Sequence, residues 1–175
     1  FSAQYAILYA GSNGFLNYRH QADIFTIYNQ LLSRGFTQEN ICLYAYDDIA
    51  SNISNPYKGQ IFHSIDHKLN VYPGSSIINY KGDDVNSQGF YDSISKLPTT
   101  ESDYVFIYYD NHGGPGTLGT PDFFDIIEGN ELSNSFNIAV ERRLYKQCLF
   151  IIEACYSGSV AELINASNLA IITAV

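Results

Sequence analysis

The apolar residues of this chain fall into short continuous runs, separated by segments in which they recur at helical spacing. Five runs predict β-strands, because short apolar and aromatic segments bounded by Gly, Asn or Asp are typical of strands. Two longer segments predict amphipathic helices, since their apolar residues return every three to four positions. The predicted strands are 5–9, 41–46, 104–109, 148–152 and 169–175, and the predicted helices are 21–34 and 130–146.

Strands that alternate with helices predict an α/β fold with a mostly parallel central sheet and helices on both of its faces. The run 104–109 is apolar or aromatic throughout, as expected of a strand that is covered on both sides. Segment 117–128 predicts a hairpin, and 50–85 predicts a long irregular connection of the kind that is often functional. The 175 residues suit one domain with a substantial core.

The charge balance excludes one class of partner. The chain has 9 basic and 18 acidic residues and a net charge of −9, whereas nucleic-acid binding needs a basic face. No apolar run approaches the roughly 18 residues of a membrane span. The first residues contain no basic region or apolar signal core, so we expect a targeting segment to be absent or already removed.

The three cysteines differ in their surroundings. Cys42 and Cys148 each lie within an apolar run, which predicts small buried side chains, whereas Cys155 follows such a run. His112 likewise follows a predicted strand. Ligands of parallel sheets bind beyond the carboxyl ends of the strands, so these two residues are candidates for one site.

A thiol beside an imidazole is the arrangement that nucleophilic catalysis needs, with Cys155 as the attacking thiolate and His112 as general base and acid. The backbone N–H groups of Gly113 and Cys155 are candidate donors to the oxyanion of a tetrahedral intermediate. The alternative is a structural cysteine and a histidine that belongs to a turn. A zinc site would need further ligands, which no CxxC or HxxxH spacing supplies.

Several blocks of the chain resemble the legumain family of asparaginyl endopeptidases, within the caspase-like cysteine peptidases. The likeness extends over essentially the whole chain. The blocks are AGSNG at 10–14, NYRHQAD at 17–23, YDDIA at 46–50, HGGPG at 112–116 and EACYSG at 153–158.

The resemblance implies a caspase-like three-layer sandwich and hydrolysis of peptide bonds after asparagine, more weakly after aspartate, without a cofactor or metal. It implies a catalytic dyad of Cys155 and His112, with Asn17 orienting the histidine. The same resemblance assigns Arg19, His20 and Glu153 to the pocket for the P1 side chain, on the amino side of the cleaved bond. A carbonyl and an NH₂ group in the asparagine amide suit a cation opposite an anion, although Arg19 and Glu153 also suit a structural ion pair.

Two features depart from the family pattern. Asn111 stands where legumains commonly carry an Asp that cyclises to a succinimide, which bears on a transpeptidase or ligase side activity. The family's domain also continues past a fifth strand into a sixth. We therefore expect residues 1–175 to be the N-terminal larger part of the peptidase core, completed by a second chain or a continuation.

The remaining expectations also follow from the resemblance. They are peptide or protein substrates, a zymogen with an inhibitory prodomain, and an acidic compartment such as a lysosome or vacuole, or the cell surface. Two alternatives stay open. One is the catalytic subunit of a GPI transamidase, which shares the Asn-Tyr-Arg-His block, and the other is an inactive homologue that binds peptides.

Overall fold

A computed structural model describes residues 2–175 as two sheets and four α-helices. The larger sheet has the order β2-β1-β3-β7-β8, and all of its neighbouring strands are parallel. The smaller sheet is antiparallel and has the order β4-β5-β6. The elements in chain order are β1 (Gln4–Ala10), α1 (Tyr18–Ser33), β2 (Ile41–Tyr44), α2 (Ser87–Ser95), β3 (Tyr104–Asp110), β4 (Gly113–Gly114), β5 (Thr117–Gly119), β6 (Ile126–Glu128), α3 (Gly129–Glu141), β7 (Gln147–Glu153), α4 (Ser157–Ala161) and β8 (Leu169–Thr173).

The larger sheet is covered on both faces, which confirms the predicted α/β class. Alternate residues of β3 point to opposite sides, so Ile107 packs with α2 and α3 while Tyr108 packs on the side of α1. Phe136 of α3 and Phe25 of α1 are wholly buried, one on each face. Burying a side chain of this size contributes about 1.5–3 kcal/mol, so these contacts fix the helices on the sheet.

The first helix positions much of the candidate site. Its buried residues Ile24, Phe25 and Tyr28 recur at the helical spacing that predicted it, although the helix begins at Tyr18 rather than at residue 21. A short 3₁₀ turn at Phe15–Asn17 precedes it. The start of α1 therefore lies directly after the loop that leaves β1, at the carboxyl edge of the sheet.

The predicted helix 130–146 is too long. The helix ends at Glu141, because Arg143 adopts the left-handed conformation with φ 55°. The N–H of Leu144 then bonds the carbonyl of Ala139, which closes the helix end. Lys146 instead lies directly before β7, where its N–H donates to the backbone carbonyl of Asp103. The apolar residues in the last turn of the predicted helix therefore belong to the connection between α3 and β7.

The predicted hairpin at 117–128 is confirmed as the antiparallel pair β5 and β6. Segment 50–85 contains only short 3₁₀ turns and isolated bridges, as predicted, yet it is anchored by Ile61, Val71 and Ile78, which are buried in the core beside α1. Of the helices in residues 2–175, none combines the length and apolar character that crossing a membrane requires.

Candidate active site

The register between β3 and β7 brings the two candidate catalytic residues to the same point. Asp110 at the end of β3 is paired with Glu153 at the end of β7, and the N–H of Asn111 donates to the Glu153 carbonyl at 3.2 Å. His112 and Cys155 each follow two residues after this pair. The two strands therefore carry an imidazole and a thiol out of the sheet at equal height.

Gly113 lies directly against the cysteine turn. A Cβ atom at this position would be 2.3 Å from the carbonyl oxygen of Cys155 and 3.2 Å from Cβ of Ala154. Only a glycine allows the chain after His112 to come this close without moving backbone. The small sheet that begins here thus fixes the loop of His112 beside the loop of Cys155.

The chain turns sharply after Cys155. Tyr156 has φ 57°, a left-handed conformation that is strained for a residue with a side chain, and α4 begins at the next residue. The turn leaves Cys155 exposed to solvent. Within residues 2–175 the N–H of Cys155 donates no hydrogen bond, so it is free to bind an external oxygen atom.

Asn17 is hydrogen-bonded to the ring of His112. Oδ1 of Asn17 lies 2.8 Å from Nε2 of His112, and the amide NH₂ of Asn17 donates to the carbonyl of Asn13 at 3.0 Å. This second bond fixes the amide so that its oxygen faces the imidazole. Because that oxygen can only accept, Nε2 carries the hydrogen, and Nδ1 of the neutral ring is left as the basic nitrogen.

His20 lies behind His112 and packs edge-on against it, with 5.0 Å between ring centroids. Its Nδ1 shares a 2.7 Å hydrogen bond with Oγ of Ser12, and the side chain is buried. Burial, together with the charges of Arg19 and His112, lowers the pKa of His20 to about 4. His20 is therefore a neutral support for the second imidazole near neutral pH.

The loop that holds Asn17 is tied to the block at 46–50. The carboxylate of Asp48 accepts from the N–H of Gly14 at 2.7 Å and from Nε2 of Gln21 at 2.9 Å. Asp48 thus joins the loop after β1 to the first turn of α1. The sequence singled out this block only through its resemblance to the family. The contacts show that its Asp48 connects the loop to the helix.

A cavity of about 570 Å³ opens beside the dyad. It brings together most of the residues predicted for the site, on α1 and on the two strand ends. Asn17 and Gly113 line a second cavity of about 450 Å³, and Asn111 and His112 line both cavities. The predicted residues that line the first cavity are Arg19, His20, Asn111, His112, Glu153 and Cys155.

Arg19 is exposed, and the one side-chain hydrogen bond that it forms within residues 2–175 is a long one of 3.5 Å to the carbonyl of Leu16. The four ion pairs among residues 2–175 involve neither Arg19 nor Glu153. The alternative of a structural ion pair between these residues is therefore not what the structure contains. A guanidinium and a carboxylate instead face the same cavity, and neither forms an ion pair within the described residues.

Asn111 is buried between neighbouring loops. Its NH₂ group donates to the carbonyl of Gly11, and its Oδ1 has no hydrogen-bond partner among the described residues. Gly11 and Gly119 leave just enough room, since a Cβ at either one would lie within 2.9 Å of the Asn111 side chain. A carboxylate here would face a carbonyl oxygen, so an amide suits this position better than the Asp common in the family.

Three residues of the candidate site were not predicted from the sequence: Ser12, Asp23 and Asp110. Asp23 and Asp110 both line the first cavity, and their carboxyl groups contact each other. Asp23 lies four residues after Arg19 in α1, so both share a helix face, but the predicted helix began only at residue 21 and did not include Arg19. In the described part of the chain, no cluster of three or more His, Cys, Asp or Glu is arranged to hold a metal ion.

Comparison with known proteins gives a family match over nearly the whole chain. The model of the Peptidase C13 family matches residues 4–175. A hemoglobinase of Schistosoma japonicum is 41% identical over 89% of this chain, and a legumain of Canavalia ensiformis is 38% identical over 95%. A vacuolar-processing enzyme of Glycine max is also 38% identical over 95%. The chain spans 38%, 37% and 35% of the length of these three relatives, respectively.

Proposed function

Since this chain belongs to the Peptidase C13 family, we propose that residues 1–175 form the larger part of the core of a cysteine endopeptidase. Cys155 is the nucleophile and His112 is the general base and acid. The observation that carries the proposal is the parallel pairing of Asp110 with Glu153, from which both residues follow at the same offset.

The proposed reaction begins with transfer of the thiol proton of Cys155 to Nδ1 of His112. The thiolate attacks the scissile carbonyl carbon, and the N–H groups of Cys155 and Gly113 stabilise the oxyanion. The imidazolium then protonates the leaving amine, and the C–N bond breaks to give a thioester. Water, deprotonated by His112, attacks the thioester, releases the acid product and returns the proton to the thiolate.

Asn17 acts as a positioning residue in this scheme. Its Oδ1 accepts from Nε2 of His112, so Nδ1 is the nitrogen that exchanges protons with the thiol. The same hydrogen bond stabilises the ring when it becomes an imidazolium. His20 supports the ring from behind and lines the P1 cavity without contributing charge near neutral pH.

The P1 specificity proposed for this site is asparagine, with weaker cleavage after aspartate. Arg19 donates to the amide oxygen of the P1 side chain, and Glu153 accepts from its NH₂ group. The absence of ion pairs at both residues in the described structure supports this assignment, because each retains free hydrogen-bonding capacity. A P1 side chain without an amide would leave the hydrogen-bonding groups of Arg19 and Glu153 unpaired, so it would bind less well.

Proteins are the proposed substrates, and the names of the relatives favour a vacuolar or lysosomal compartment. The remainder of the catalytic domain, on the same or a second chain, and an inhibitory prodomain belong to this proposal. A transpeptidase side activity is included. The exposed thioester at Cys155 is open to an incoming amine as well as to water, and Asn111 is held beside the dyad in place of the family's Asp.

The testing experiment compares matched fluorogenic peptides with Asn, Asp, Arg or Lys at P1, at pH 5.5 and 7.5. The full-length processed enzyme is compared with Cys155→Ala, and Cys42→Ala is the matched control because that thiol is buried. We expect turnover selective for Asn that is lost in Cys155→Ala and kept in Cys42→Ala.

Two results would contradict the proposal. Activity retained in Cys155→Ala with a native circular-dichroism spectrum would exclude the thiol as nucleophile. Absence of turnover for every peptide, together with no faster labelling of Cys155 than of Cys42 by a thiol probe, would favour an inactive peptide-binding homologue. Labelling of Cys155 without turnover would point to a transamidase that needs other subunits.

A further inference from the structure

Two carboxyl groups meet in the wall of the P1 cavity. Asp110, the last residue of β3, is only 3% exposed, and Asp23 approaches it from α1. Both residues line the cavity that also contains Arg19 and Glu153. Among residues 2–175, no N–H or O–H group donates to the buried Oδ2 of Asp110.

The contact between the two carboxyl groups requires a proton. The Asp110 and Asp23 side chains are within hydrogen-bonding reach, and two ionised carboxylates cannot hydrogen-bond to each other. Burial, the contact with Asp23 and the charge of Glu153 raise the pKa of Asp110 well above its usual range, although Arg19 acts in the opposite direction. Asp110 is thus the member that keeps the proton.

Asp23 is the member that carries the charge. Its side chain is 35% exposed, and its Oδ1 lies 3.2 Å from Nε2 of His63, which belongs to the long connection between β2 and α2. Asp23 is therefore in contact with solvent while it accepts a hydrogen bond from the carboxyl group of Asp110. Tyr108 also lines this cavity, and burial and the nearby acids raise its pKa to about 12, so it stays neutral.

We propose that the Asp23–Asp110 pair determines specificity by excluding a negatively charged P1 side chain, with the proton on Asp110 and the charge on Asp23. The inference rests on the proposed function of the same cavity. Arg19 is the positive group there, whereas Asp23 and Glu153 are both negative. A P1 carboxylate would add a third negative charge, and a neutral asparagine adds none.

The pair also predicts weaker discrimination between asparagine and aspartate in acid. Nε2 of His63 lies 3.2 Å from Oδ1 of Asp23, so a positive charge on this ring offsets the charge of Asp23. Protonation of the P1 aspartate removes the remaining repulsion. The groups that face the pair are Arg19 on α1, Glu153 on β7 and His63 from the long connection. The positive charge of Arg19 offsets the negative charge of the pair, whereas the negative charge of Glu153 adds to it.

The test measures kcat/KM for matched P1-Asp and P1-Asn peptides at pH 7.5 with the full-length processed enzyme. Each variant's ratio uses its own P1-Asn value, so a general loss of activity cancels. We expect Asp23→Asn to raise the Asp-to-Asn ratio about tenfold, equivalent to about 1.4 kcal/mol. Asp110→Asn mimics the protonated acid and should keep the wild-type ratio, as should the exposed control Glu141→Gln.

The outcomes separate this inference from the proposed function. An unchanged ratio in Asp23→Asn, or an equal rise in Asp110→Asn, would overturn the assignment while P1-Asn turnover still supports the peptidase. If no peptide is cleaved, ¹³C NMR titration of aspartate carboxyls in Cys155→Ala tests the proton directly. We expect one carboxyl to titrate far above the ordinary Asp range and to disappear in Asp110→Asn. A spectrum without such a carboxyl would also overturn the inference.

Discussion

The site has two halves that the protein holds in different ways. The histidine side comprises Ser12, Asn17, His20, Asn111 and His112, whose side chains are hydrogen-bonded to one another or to backbone. The cysteine side comprises Arg19, Glu153 and Cys155, which are all exposed and form no ion pair within residues 2–175.

The difference indicates which groups must be ready before a substrate arrives. Proton transfer requires one ring nitrogen to face the thiol, so the orientation of the imidazole is fixed in advance by short bonds. Groups that recognise the substrate must keep unused hydrogen-bonding capacity, because a bond already made inside the protein would have to be broken. Changes of Arg19 and Glu153 on the cysteine side should therefore affect substrate choice, whereas changes on the histidine side should affect turnover and stability.

Among the changes that test this difference between the two sides of the site, Arg19→Ala should have the largest effect. Loss of a charge-assisted hydrogen bond to the P1 amide should lower kcat/KM for Asn peptides about 100-fold, since such bonds contribute about 1.5–3 kcal/mol. The free energy of unfolding should hardly change, because Arg19 makes only one long contact. Arg34→Ala, exposed after the same helix, is the matched control for charge. Equal losses for every P1 residue would show that Arg19 does not determine specificity.

Asn17→Ala tests the histidine side and should have a smaller effect. Without the acceptor at Nε2 the ring of His112 can turn, and misplacement of a catalytic group costs about tenfold to 100-fold in rate. The loss should fall on kcat rather than KM. Asn17→Asp keeps an oxygen acceptor and should recover part of the rate. If Asp and Ala lower kcat equally, or if KM alone changes, Asn17 is not the residue that orients the imidazole.

The sequence predicted the parts of the fold that follow from local apolar patterns. All five strands of the large sheet were predicted to within two residues, because buried parallel strands are continuous apolar runs. Helix α2 was not predicted, since its Ser and Gly residues are weak helix formers and its start depends on the Asn86 side chain, which accepts from Gly89. The helix α4 is too short for a periodic pattern.

The site was predictable where chemistry follows a strand end, and less so where tertiary packing decides. His112 and Cys155 could be named from their position and residue type. The register that places them at the same height could not be predicted, because the pairing of strands is a long-range property. Asp110 has no distinguishing feature in the sequence beyond its position directly after a predicted strand. Its burial appears only when α1 lies across the end of β3, so its proximity to Asp23 has no local signature in the sequence.

The smallest expected effect concerns stability in acid, through His20. Burial holds the pKa of His20 at about 4, below its ordinary value of 6.5, so the unfolded chain takes up this proton first as the pH falls. The stability that neutral His20 provides is therefore complete above pH 6.5 and is lost as the pH falls towards 4. His20→Gln keeps a partner for Ser12 but cannot titrate, so its stability should depend less on pH in this range.

Urea unfolding of the full protein at pH 7.5 and 5.5 measures this difference. Wild type should lose about 1 kcal/mol more than His20→Gln between the two conditions, somewhat less than the full 1.4 kcal/mol per pH unit because solvent in the cavity screens the charge. His67→Gln, at an exposed position, is the matched control. An equal loss in wild type and His20→Gln would mean that His20 is free to become protonated in the fold. The histidine side would then be less rigid than its hydrogen bonds imply, because a charged His20 would repel the imidazolium that His112 must form during turnover.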